Sequence, residues 1–213
     1  MVSGEQIVNE LRGMADAAEH AKIAKRVPAD QVIGVRMKNV FDLAKANTDL
    51  PLAEVEALLD SRYYEARMVA VSILDFRARA RGITDEQRRE LYELYLRRHD
   101  RIDTWDLVDR AAPRVVGWYL LDKPRDVLFE LARSPSIWER RTAITAAFWL
   151  IRAGDLDDPL AIAEILLGDE HLIQTSVGTA LREIGKVDPA LRDEFLRRHE
   201  ARISSTTRRM ARK

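Results

Sequence analysis

The residues of this chain best placed to do chemistry are Trp105 and Asp109, in the segment Thr104-Trp105-Asp106-Leu107-Val108-Asp109. Four residues apart on a helix, they share a face. An electron-rich indole beside a carboxylate suits a cationic ligand, or a positive charge that forms during a reaction. The competing reading is a core tryptophan with an aspartate that caps a turn or pairs with Arg110 or Arg114. Asp106 is a rival carboxylate. It lies just after a helix-start cap at Asp103 or Thr104, where the helix dipole accounts for it. Asp109 sits a full turn further in, where capping no longer explains it.

A second constellation follows in Ile137-Trp138-Glu139-Arg140-Arg141. Arg141 falls one turn into its helix, three residues after Trp138. It reads either as a solvated arginine or as a phosphate contact near a helix N-terminus. Arg67 and Arg182 occupy comparable helices and extend a possible arginine track. Trp118, Tyr119, Phe148 and Trp149 fall at helical spacing among aliphatic residues and read as core, while Tyr63 and Tyr64 stay open. The usual catalytic signatures are absent. There is no phosphate-binding Gly-x-x-x-x-Gly-Lys loop and no dinucleotide glycine pattern. His20, His99, His171 and His199 are isolated. The chain has no cysteine, hence no thiol nucleophile and no thiolate metal site. No metal and no cofactor are expected.

The positioning elements are helices. Apolar periodicity predicts Val32–Ala46, Leu52–Leu59, Tyr63–Ala80, Thr84–His99, Trp105–Leu121, Arg125–Arg133, Ile137–Ala153, Leu160–Leu167 and His171–Lys186, with a last helix from Pro189 to about His199. Thr84-x-x-Gln87 is a capping box, and Pro113 should kink or split its helix. Taking Tyr64, Trp105, Trp138 and Ile173 as equivalent gives spacings of 41, 33 and 35 residues. That period predicts an all-α, HEAT-like α-solenoid of antiparallel helix pairs with a concave groove. The echo of Leu96-Arg97-Arg98-His99 in Leu196-Arg197-Arg198-His199 is a repeat remnant or chance.

The 213 residues, 46% hydrophobic and 33% charged, fit a single domain over 1–213. No apolar run approaches a membrane span, and Met1-Val2-Ser3-Gly4-Glu5 lacks a secretory layout. A cytoplasmic monomer without a membrane partner is expected. Zero net charge argues mildly against a non-specific nucleic-acid binder. Arg77, Arg79 and Arg81 form one local basic run. Residues 201–213 carry Arg202, Arg208, Arg209, Arg212 and Lys213 with no acid. From Ser204 onward (204–213) this tail is either an ordered phosphate contact or a disordered basic end.

From about Lys22 to the C-terminus the chain resembles the AlkD-type alkylpurine DNA glycosylases, built from HEAT-like repeats. The resemblance rests on Val32-Ile33-Gly34-Val35, the Trp105 to Asp109 segment, Ile137 to Arg141, and Ile173-Gln174 through Gly178 to Leu181-Arg182-Glu183. It implies excision of purines alkylated at N3 or N7 from double-stranded DNA. Such bases are already good leaving groups, so the enzyme mainly stabilises an oxocarbenium-like sugar and places a water. The resemblance gives that task to Asp109, puts Trp105 against the lesion, and gives Arg141 the phosphate. Trp138, Arg182, Arg67, Thr179 and Arg208 complete the expected DNA contacts. One position departs from the pattern: where the family has a second tryptophan, this chain has Thr179. An upstream aromatic near Lys25 is not evident either. Two alternatives stand beside the glycosylase: a solenoid that binds damaged or branched DNA without excision, favoured by Thr179, and a protein-binding scaffold, favoured by the zero net charge.

Overall fold

The computed structural model describes residues 2–212; Met1 and Lys213, part of the N-terminal and basic-tail readings above, lie outside them. No β-strand occurs among the described residues. The contacts group into two compact units that divide between Asp103 and Thr104.

The first unit holds α1 (Gly4–Gly13), α2 (Ala17–Ile23), α3 (Met37–Ala46), α4 (Leu52–Asp60), α5 (Tyr64–Ala78) and α6 (Asp85–Arg97). The first two helices escaped the periodicity reading, although their start signals are present. Ser3 and Gln6 form a capping box, and Asp16 accepts the Glu19 N–H at 2.9 Å. The Thr84–Gln87 box forms as the sequence indicates, with bonds of 3.0 and 3.1 Å. α5 is the centre of this unit and packs on α1, α3, α4 and α6. Every residue from Tyr64 to Asp75 is buried, as expected of a helix enclosed on all sides. Tyr64 is thereby a core residue.

α3 begins at Met37 rather than Val32. The reason is Glu65, fully buried on α5. Its carboxylate accepts the N–H groups of Ile33, Gly34 and Val35 at 3.0, 2.7 and 3.3 Å. Together with Gly34, whose φ of 95° lies outside the helical region, those bonds hold residues 32–35 as a non-helical turn. Gly34 makes the turn possible, with φ of 95° and with Asp16 O only 2.6 Å from where a Cβ would stand.

The second unit holds α7 (Trp105–Ala111), α8 (Asp126–Ala132), α9 (Ile137–Arg152), α10 (Asp157–Ile165), α11 (His171–Val187), α12 (Pro189–Arg198) and α13 (Ser205–Ala211). α9 plays the part of α5, packing on α7, α8, α10 and α11. Short connections join α8 to α9 and α10 to α11, and in each case the two helices pack together. A short helix followed by a long central one is the pattern the sequence repeat implied. Tyr64, Trp105, Trp138 and Ile173 all fall in the first turn of their helices. Within the second unit the helix pair α8–α9 stacks on the pair α10–α11 in solenoid fashion.

The predicted helix Trp105–Leu121 is broken as its proline suggests. α7 ends at Ala111, a π-helical stretch runs over Ala112–Trp118, and a 3-10 turn over Tyr119–Asp122. Pro113 has no N–H for the carbonyl four residues back, which is that of Asp109, and its ring crowds that carbonyl. The backbone widens by one residue per turn instead. Gly117 then sits hard against α9: a Cβ there would lie 2.1 Å from Ala146 O.

The segment after Ser204 is ordered as α13, capped by Ser204 Oγ, which accepts the Thr207 N–H at 3.0 Å. It packs on α11 through Gly178, where a Cβ would fall 2.5 Å from Met210 Cβ. Buried Gln174 binds Thr207 across that contact. The echo of Leu-Arg-Arg-His is structural. His99 and His199 each follow a helix end, are buried, and contact the aromatic four residues back, His99 edge-on to Tyr95 and His199 tilted against Phe195, with centroids 5.5 and 4.5 Å apart.

Candidate functional site

α7 is short, and its orientation comes from Leu107, Val108 and Ala111, all buried. With that face held inward, Trp105 and Asp109 turn outward. Trp105 is 43% exposed, and Asp109 keeps 38% of its side chain exposed. Among the described residues Trp105 is the only tryptophan classed as exposed. Asp106 is used locally. One of its oxygens accepts the Thr104 hydroxyl at 2.6 Å and the Leu107 N–H at 3.1 Å, which stabilises the helix start.

Asp109 faces Arg141. Nε donates to Oδ1 at 2.9 Å and Nη2 to Oδ2 at 2.8 Å, a two-point pairing that fixes the plane of the carboxylate. Arg141 is itself fixed. Its side chain is 10% exposed, and Nη1 donates to Ser176 Oγ at 2.9 Å and to Leu172 O at 3.3 Å. Four of the five guanidinium N–H groups are thus engaged. Helices α7, α9 and α11 are tied through this one side chain. Arg140, its neighbour, pairs with Asp169 and Glu170 and anchors α9 to the start of α11.

The other expected contacts are not hydrogen-bonded into this cluster. Trp138 is half-buried in the first turn of α9. Arg182 pairs with Glu183 at 3.2 Å, and Thr179 returns its hydroxyl to Thr175 O at 2.9 Å. Arg208, on α13, reaches Glu200 at 3.3 Å. Arg67 is in the first unit. It is buried, donating to Asp103 at 2.8 Å and to Gln31 at 3.3 Å. Ser176 is the participant that sequence reasoning missed. A serine three residues after Ile173 carries no distinctive signal, and only its position one repeat after Arg141 (35 residues) hinted at it.

The arrangement can do a limited chemistry well. An oriented carboxylate that stays partly open to solvent can face a developing positive charge and accept a proton from water. The exposed indole beside it offers a π-face. Among the described residues no group of three or more His, Asp or Glu is placed to hold a metal ion.

A sequence profile for the family described as DNA alkylation repair enzyme matches residues 7–213, nearly the whole chain. The protein belongs to the DNA alkylation repair enzyme family. Among solved structures it is similar to one described as a predicted DNA alkylation repair enzyme from Enterococcus faecalis, with a TM-score of 0.73 and 18% identity, covering 94% of this chain and 96% of that one. At that identity the likeness establishes the all-helical fold. No curated protein sequence matches the chain significantly. No described helix is long and apolar enough to cross a membrane.

Proposed function

We infer that this protein hydrolyses the N-glycosidic bond of N3- or N7-alkylated purines in double-stranded DNA. The observation that carries the reading is Asp109, open to solvent beside the exposed Trp105 and held at both oxygens by the buried Arg141. An alkylated purine is cationic. As its bond to C1′ breaks, the bonding electrons leave with the base and the positive charge passes to the sugar. The Asp109 carboxylate stabilises that charge and takes a proton from the water that adds to C1′. The products are the free base and an abasic sugar. Arg141 serves chiefly to hold Asp109 in register, with one N–H left over for a phosphate oxygen. No metal or cofactor enters this scheme.

The test is base release from duplex DNA carrying N7-methylguanine or N3-methyladenine. Asp109→Asn keeps the shape but loses the charge. It is expected to lower release by about 10²- to 10³-fold while duplex binding is retained. Equal release by the two proteins would sink the assignment. Thr179 favours a second reading, in which the protein binds damaged DNA without excision. That reading predicts binding by both proteins and release by neither.

A further inference from the structure

Asp109 and Arg141 fix each other, but a bond between two side chains does not fix either of them against the fold. Arginine has several rotatable bonds, and each one left free loosens the carboxylate it holds. The second anchor is on α11. Nη1 of Arg141 donates to Ser176 Oγ at 2.9 Å and to Leu172 O at 3.3 Å. Leu172 O already accepts a helical N–H from the residue four places on, so the serine is the stronger anchor of the two. Ser176 is buried, and its proton is directed back to Leu172 O at 3.4 Å, which leaves its lone pairs to Arg141. α11 is tied down on its far side. Buried Gln174, about 200° round the helix from Ser176, donates to Leu166 O at 3.4 Å and to Asp169 O at 3.2 Å, and accepts from Ser204 Oγ at 3.0 Å. Those bonds resist rotation of α11 about its axis, so Arg141 adjusts to Ser176 and not the reverse.

We propose that Ser176 is a positioning residue. Its hydroxyl sets the plane of the Arg141 guanidinium, and the guanidinium passes that setting to both oxygens of Asp109. The inference rests on the alkylpurine reading above and deepens it by naming what aims the reacting carboxylate. Ser176 touches neither the water nor the sugar in that scheme, so its whole effect travels through Arg141. A carboxylate displaced by a fraction of an ångström faces the developing charge less well, while the duplex is bound as before.

The experiment has three readouts on the full chain: single-turnover release of N7-methylguanine at saturating enzyme, Kd for an undamaged duplex, and hydrogen exchange at the Arg141 Nε–H by nitrogen NMR, the signal being assigned by its loss in Arg141→Lys. Ser176→Ala removes the hydroxyl with a residue that favours a helix. It is expected to slow release about tenfold and to speed exchange at the Nε–H by a similar factor, with Kd unchanged. In an Arg141→Lys background the two-point hold is already gone, and Ser176→Ala is expected to cost no more than about twofold further. A role confined to packing predicts the same loss on either background. Release by Ser176→Ala equal to wild type, a loss that multiplies with that of Arg141→Lys, or an Nε–H signal that does not change overturns the proposal. Wild type that releases no base removes the glycosylase alone, and the Nε–H signal then decides whether Ser176 holds Arg141.

Discussion

Arg141 shows how much one side chain can organise. Its aliphatic stem is buried, yet all three guanidinium nitrogens are used, two on Asp109 and the third on α11. Lysine at this position keeps the charge but is a point donor, unable to hold both carboxylate oxygens in one plane. Arg141→Lys is expected to lower single-turnover base release by about 10²-fold, the cost of a carboxylate misplaced by a fraction of an ångström. Affinity for undamaged duplex should change little. If affinity falls as far as release does, Arg141 is primarily a phosphate contact and its hold on Asp109 is incidental.

Elements in this fold are located by what is missing as much as by what is present. Pro113 lacks an N–H, and the helix that starts at Trp105 yields to a π-helical stretch just beyond Asp109. Gly117 lacks a Cβ, so that stretch can touch α9 at Ala146. Gly117→Ala places a methyl where backbone already stands, and neither side is a flexible side chain that can move. It is expected to destabilise the protein by about 1–3 kcal/mol or more. The check is chemical denaturation followed by helical circular dichroism. A midpoint equal to wild type would mean that α9 and the π-helical stretch separate easily. The proline effect was legible from sequence because it acts within one helical turn. The glycine contact was not, because the residue that meets it is 29 positions away.

At the scale of the whole molecule, equal numbers of acids and bases give zero net charge, and stability against pH depends on where the pairs stand. In the first unit Arg98 joins Glu56 and Asp60, and Arg97 also reaches Glu56. Hydrogen bonds from Arg97 and then Arg98 hold the Glu56 carboxyl below its ordinary value, and Arg98 does the same for Asp60. Carboxyls depressed in the folded state contribute stability that is complete above their unfolded values, about 4.3 and 3.9. That contribution is lost as pH falls through the lower folded values. The melting temperature is therefore expected to be flat from pH 7 to about 5 and to fall below about pH 4. Arg98→Met should lower it near neutrality and shrink the acid-side fall. An unchanged acid slope in that variant would show that these pairs are fully screened.

The helices from α3 to α12 and their order were readable because they depend on neighbours in sequence. The 3.6-residue apolar period, the Thr84–Gln87 box and the break at Pro113 are all decided within a turn or two. Even the repeat that aligns Tyr64, Trp105, Trp138 and Ile173 is a statement about spacing. Asp109 was singled out on the same ground, being too far into its helix to serve as a cap. Pairings were different. Nothing local to Arg141 says that its carboxylate lies 32 residues back, or that Ser176 lies 35 residues ahead. Nor does anything near Val32 announce that Glu65 will take its neighbours' amides and delay α3. Those partners are chosen when apolar faces pack, and packing depends on the shapes of whole helices rather than on the order of residues along any one of them.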